Sequence, residues 1–178
     1  MNYLDTLSAF AAELDVRQLD AAHQEQLGWI LADTLAAMVA GSAEPELRAL
    51  AERQPRVDAA SGAALLGLGR RSHREAAAFI NGTAGTFLEM DEGNRFSRGH
   101  PAVHVIPAAL ALCEQAQAQA EDFLAAVVVG YEVGSRLGAA AQLRGAMHPH
   151  GTWGTMGAAA ACARRLGQRL ARTGQPCG

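Results

Sequence analysis

Alanine-rich runs with a larger apolar residue at every third or fourth position confine this chain to helices that pack closely through small side chains. Hydrophobic residues make up 49% of it and aromatic residues only 5%. An aromatic-rich sheet sandwich lacks the side-chain volume it would need, and alanine is the best helix former. The expected fold class is all-α. With 178 residues, one domain can bury roughly two thirds of its unfolded surface.

The periodicity predicts helices from Tyr3 to Leu14 and from Leu19 to Ala40, the second stopped by Gly41. A short helix is expected from Glu44 to Arg53 and an extended segment from Ala63 to Leu68. Ser72-His73-Arg74-Glu75 has capping-box spacing, so a helix should start there and run to about Asn81. Another should cover Thr83 to Met90. Pro107–Gln119, Glu121–Leu137 and Trp153–Arg169 read as the remaining helices, with a loop from Gly145 to Gly151.

Charge is uneven. Residues 1–132 hold all 18 acids and nine arginines, a sum of −9; residues 133–178 hold six arginines and no acid, a sum of +6. The basic end lacks interleaved aromatics, which argues against a nucleic-acid partner. Every basic residue apart from histidine is arginine; there is no lysine. No apolar run is long enough to cross a bilayer without interruption by Gly, Asp or Glu, so no membrane partner is expected. Cys113, Cys162 and Cys177 form no CxxC, which argues against a zinc knuckle or a disulfide framework. Cys113 and Cys162 read as small core residues, and a cytoplasmic location fits unpaired thiols.

Chemistry concentrates in two places. Leu88 to Pro101 carries Glu89, Asp91, Glu92, Arg95, Arg98 and His100 between alanine-rich helices. Three neighbouring carboxylates repel one another, which raises at least one pKa toward the range useful for acid–base work. Arg95 and Arg98 offer planar forks for carboxylates, and His100 exchanges protons near neutral pH. The second place is Met147 to Ala160, where His148, His150 and Thr152 stand before a helix. Exposed N–H groups at such a terminus favour anions. Thr152 also suits a plain N-cap role, and Gly154 and Gly157 suit close helix packing. His104, four residues after His100, raises a metal pair as an alternative. Pro101 argues against one continuous helix face there, and no metal is expected. Asp33, inside an apolar helix, is expected to make a buried polar link. His23 and His73 are expected at the surface.

Asn81-Gly82-Thr83-Ala84, the Asp91 to Pro101 loop, Val105 to Leu112 and Met147 to Ala160 follow one another in an order and spacing that resemble the MmgE/PrpD family. That family includes 2-methylcitrate dehydratase and cis-aconitate decarboxylase. The resemblance implies cofactor-free lyase chemistry on small polycarboxylic acids, in the helical domain of a homodimer. It implies catalytic roles for Glu89, Asp91, His100 and His148, and substrate-binding roles for Arg95, Arg98, His150 and Thr152. The family's catalytic lysine and its smaller α+β domain lie downstream of the region matched here. Residues 1–167 are accordingly expected to form part of the helical domain and 168–178 a divergent tail, as in a truncated member. Such a chain is expected to turn over 2-methylcitrate, citrate or cis-aconitate weakly or not at all, and to associate through exposed apolar faces. An isomerase or epimerase of the same family, a non-catalytic helical interaction module and a metal-dependent hydrolase are the competing readings. If the two motifs form one site, Glu89 or Asp91, His100 and His148 must line one pocket.

Overall fold

A computed structural model describes residues 3–58 and 60–173, without the side chains of 168–173. The chain runs α1 (Tyr3–Glu13), α2 (Ala21–Gly41), α3 (Pro45–Glu52), a hairpin of β1 (Ala63–Leu65) and β2 (Arg70–Ser72), α4 (Arg74–Phe87), α5 (Pro101–Gln115), α6 (Ala120–Ala140) and α7 (Trp153–Thr173). Short 3-10 turns at Val16–Gln18 and Pro149–Gly151 precede α2 and α7. The architecture is helical, as the composition predicts.

The helix starts follow local chemistry. Asp20 caps α2 by accepting the His23 N–H at 2.9 Å. Glu121 and Asp122 occupy the first turn of α6, where the dipole favours them. Two starts differ from the expectation. Ser72 does not cap α4: it ends β2, its hydroxyl donates to the Pro55 carbonyl at 2.9 Å, and His73 is the N-cap residue. The hairpin claims the serine before the helix can. Likewise α5 begins at Pro101 rather than Pro107. Pro101 takes the first helical position, where its missing N–H is no loss, and Pro107 is carried inside the helix. The helix from Arg74 also continues past Asn81 to Phe87 without a break.

Asn81 explains that continuity. It is buried in α4 and faces the hairpin. Its Oδ1 accepts the Leu66 N–H at 3.0 Å and its Nδ2 donates to the Ala64 carbonyl at 2.9 Å. Glu114 of α5 accepts the Ala64 N–H at 2.6 Å. The two side chains do for β1 what a third strand would do, so a two-stranded hairpin lies against helices with its inner edge satisfied.

The main core gathers Met38, Val105, Ile106, Ala109, Val127 and Ala161 from α2, α5, α6 and α7. A smaller cluster of Ala51, Leu65, Ala77, Ile80 and Ala111 lies under the hairpin. Helices α6 and α7 approach through glycine. A Cβ added at Gly130 would meet the Gly157 carbonyl oxygen at 2.7 Å, and one at Gly157 would meet the Gly130 carbonyl oxygen at 2.8 Å. Gly154 leaves room for the His104 ring in the same way, so both α7 glycines serve packing.

Helix α6 has the length and apolarity to cross a membrane by composition, contrary to the expectation that no run does. Here it packs on α7 and α5 with Val127, Val129, Gly130 and Val133 buried. Asp33 is exposed on α2, not buried as expected. His23 and His73 are exposed. Cys113 is buried and Cys162 half-buried, both as free thiols. Cys177 and the last part of the 168–178 tail lie outside the described residues; the described backbone of α7 runs through 173.

Candidate functional site

Helix α4 stops at Phe87 because the chain turns sharply there, with Glu89 in the left-handed region at φ 52°. Glu89 and Asp91 therefore stand just beyond the helix rather than on its last turn. The segment from Glu92 to His100 then folds back on itself. Asn94 and Gly99 exchange backbone hydrogen bonds at 2.8 and 3.3 Å, and Asn94 Oδ1 accepts the N–H groups of Phe96 and Ser97 at 3.0 Å each. Gly99 fits only as glycine, since a Cβ would lie 2.6 Å from the Trp153 ring. This turn delivers His100 to the start of α5.

An open cleft of about 620 Å³ lies beside it. One wall is α4, through Phe79, Gly82, Thr83 and Thr86; the other is α5, through Val103, His104 and Pro107. Glu89, Asp91, His100, His148 and His150 line the same space. The acidic segment and the second histidine motif, about fifty residues apart, thus share one cavity.

The histidines are ordered as a stack. The His148 and His150 rings are parallel within 7° with centroids 4.3 Å apart. His100 continues the stack on His150 at 5.7 Å and 8°. His104 meets His150 edge-on at 4.5 Å. Burial, then the neighbouring imidazoles, push the pKa of His104 down to about 4. The same causes in the same order lower that of His150, against the opposing pull of Asp91 and Glu89. Among the described residues, no group of three or more His, Cys, Asp or Glu side chains is arranged to hold a metal ion.

His100 has a defined tautomer. Its Nδ1 lies 2.8 Å from the Glu92 carbonyl oxygen and 3.3 Å from Asp91 Oδ2. Both are acceptors, so Nδ1 carries a proton, and in the neutral ring Nε2 holds the free lone pair. The Asp91 side chain is 4% exposed, and its Oδ2 lies beside the ring at ion-pair distance without accepting a hydrogen bond. This is the geometry of a base oriented by a backbone carbonyl, with a buried carboxylate beside it.

Glu92 behaves differently from its neighbours. It faces away from the cleft, with Oε1 accepting the Tyr131 hydroxyl at 2.6 Å and Oε2 accepting the Ala102 N–H at 3.2 Å. Its pKa is raised, chiefly by burial, with Asp33 adding and Tyr131, Ala102 and His100 opposing. The cause is thus burial, not repulsion among the three loop acids.

Arg95 and Arg98 are not among the residues lining the histidine cleft. They border a second depression with Glu92, Asn94, Phe96 and Tyr131, and His100 lines both. Arg98 donates to the Ala141 carbonyl at 3.1 Å. Thr152 also lies outside the cleft lining, its hydroxyl bonded to the carbonyls of His148 and Pro149 at 3.1 Å each. His104 and Tyr131 carry more of the geometry than their sequence positions suggest. His104 had a signal in its i,i+4 spacing from His100; Tyr131, in the middle of an apolar helix, had none.

The fold and site define a helical protein with a cleft of stacked imidazoles and a histidine held by a backbone carbonyl beside a buried carboxylate. Residues 5–175 match the MmgE/PrpD N-terminal domain, and the chain belongs to that family. It is 28% identical over 177 residues to the cis-aconitate decarboxylase-like protein oryM of Aspergillus oryzae (strain ATCC 42149 / RIB 40), an alignment covering 93% of this chain and 37% of that protein. The chain thus spans well under half the length of this relative.

Proposed function

We propose that the cleft binds a small polycarboxylic acid and supplies the proton-transfer groups for a lyase reaction on it, of the dehydratase or decarboxylase type. The observation that carries this reading is His100, pinned with its proton on Nδ1 and its Nε2 free, in one cavity with Glu89, Asp91, His148 and His150. A base within reach of a C–H or O–H bond next to a carboxylate is what loss of water or CO₂ requires. Imidazoles that suppress one another's charge gain protons when a carboxylate enters, so the stack is a receptor for anionic groups even without a guanidinium in its lining. Arg95 and Arg98 are then second-line contacts, in reach only of a long substrate or after movement of the 92–100 turn. The location is taken as cytoplasmic and the assembly as a homodimer, and no cofactor is required by this chemistry.

Membership of the family and the name of the Aspergillus relative favour cis-aconitate and 2-methylcitrate as first probes. Calorimetric titration of purified protein with each acid is the test. Saturable binding that weakens tenfold or more in His100→Ala and His148→Ala supports the reading. Absence of binding by any di- or tricarboxylate, in protein whose helical content is intact, sinks it. Alkene absorbance and released CO₂ in the same samples report whether the bound acid is turned over.

A further inference from the structure

We propose that Tyr131 and Glu92 are positioning residues for His100: the Tyr131 hydroxyl, through Glu92 and Asn94, holds the first residues of the 92–100 turn so that the Glu92 carbonyl stays on His100 Nδ1. This rests on His100 being the working base of the cleft. Tyr131 sits in the middle of α6, away from the cleft lining, and has no part in the chemistry proposed above. Its hydroxyl donates to Glu92 Oε1 at 2.6 Å and accepts from Asn94 Nδ2 at 3.1 Å. One oxygen thus joins the first residues of the turn to α6. Glu92 Oε2 takes the Ala102 N–H at 3.2 Å, which fixes the same side chain to the first turn of α5. Between these anchors, the Glu92 carbonyl reaches His100 Nδ1 at 2.8 Å. The Asn94 carboxamide, held by Tyr131, closes the rest of the turn on Phe96 and Ser97.

Without the hydroxyl, the links to Glu92 and Asn94 lose their common node. The Glu92 carboxylate keeps only the helix N–H, and the Asn94 carboxamide loses its acceptor. The carbonyl then shares His100 Nδ1 with solvent, and the proton is free to move to Nε2. An imidazole with its proton on Nε2 cannot accept a substrate proton there. The pair therefore controls whether the base is available, without touching substrate.

The test reads the His100 tautomer by long-range nitrogen–proton NMR in ligand-free protein. Wild type is expected to show His100 predominantly with the proton on Nδ1. In Tyr131→Phe, which keeps the ring and its packing, the Nδ1–H to Nε2–H ratio should fall about fivefold, the factor corresponding to one ordinary hydrogen bond. Glu92→Ala should lower it similarly, and Glu92→Gln, whose carboxamide oxygen still accepts from Tyr131 while its amide nitrogen cannot accept from the Ala102 N–H, should restore part of it. An unchanged tautomer ratio in folded Tyr131→Phe and Glu92→Ala overturns the proposal. If Tyr131→Phe fails to fold, the contrast between Glu92→Ala and Glu92→Gln decides the matter, since equal ratios in the two would overturn it. The readout needs no ligand. A tautomer that responds in a protein that binds no polycarboxylate leaves this inference standing and the functional reading fallen; tight polycarboxylate binding with an unresponsive tautomer does the reverse.

Discussion

Two acceptors facing one ring nitrogen decide what His100 can do, and the neighbouring imidazoles decide when the rest of the cleft is charged. His104 titrates near 4 in the fold against 6.5 in an unfolded chain. The unfolded state therefore binds the proton first. Stability from this residue is fully present above pH 6.5 and is lost as pH falls through 4. The full loss is roughly 3 kcal/mol, since each tenfold difference in proton affinity between the folded and unfolded chain is worth about 1.4 kcal/mol. Urea unfolding near neutrality and near pH 4.5 should show this as a steeper acid loss in wild type than in His104→Asn; equal losses would mean that His104 is not held neutral. The same logic governs binding. Burial, then His148 and His100, lower the pKa of His150, so a carboxylate entering the stack should draw protons in with it. Calorimetric enthalpies for cis-aconitate should then depend on the ionisation enthalpy of the buffer above neutral pH. Buffer-independent enthalpies would show that the anion is held without imidazolium.

At the scale of elements, glycine in α2 separates propensity from packing. Gly28 lies in the exposed middle of the helix with nothing within 4 Å of an added Cβ. Gly28→Ala should therefore stabilise by about 0.5–1 kcal/mol, the helical cost of glycine. Gly41 ends the same helix against α4, where a Cβ would meet the Ala84 carbonyl at 2.0 Å. Gly41→Ala should destabilise by about 2 kcal/mol or more, because a backbone atom has to move. Chemical denaturation of both variants checks the pair, and effects of the same sign would refute the contact. The elements also show where local signals mislead. Ser72 has the chemistry and spacing of a cap, yet a strand hydrogen bond outcompetes it. Pro101 reads as a break but is a helix start, because a proline at the first position loses nothing. The first outcome was settled by a neighbour distant in sequence, the Pro55 carbonyl; the second is local.

At the scale of the whole molecule, large apolar side chains remain at the surface, among them Trp29 at 66%, Phe79 at 62% and Phe96 at 77% exposure. Phe79 also stands at the cleft, so a surface that covers it would close the cavity as well. Exposed apolar area of this kind favours association. Sedimentation at rising protein concentration should show self-association, reduced by Phe79→Ser and Phe96→Ser. A monodisperse monomer at high concentration would show that these residues are tolerated in water.

The helical class, most helix positions and the family were legible in the residues alone, because a 3.6-residue apolar period and motif order are properties of neighbouring positions; the number of helices was not, since the two expected either side of Asn81 are one. The concentration of acids and histidines also marked the two stretches that form the cleft. Which of those residues face the cavity was not legible. Arg95, Arg98, Glu92 and Thr152 are interspersed with the cleft residues; a turn pinned at Asn94 and Gly99 places the first three, and the carbonyls of His148 and Pro149 hold the Thr152 hydroxyl. The tautomer of His100, the neutrality of His104 and the part played by Tyr131 depend on distances between side chains that sequence order does not contain. Local periodicity specifies which face of a helix is apolar; only the packing of α4, α5, α6 and α7 determines what each polar group meets.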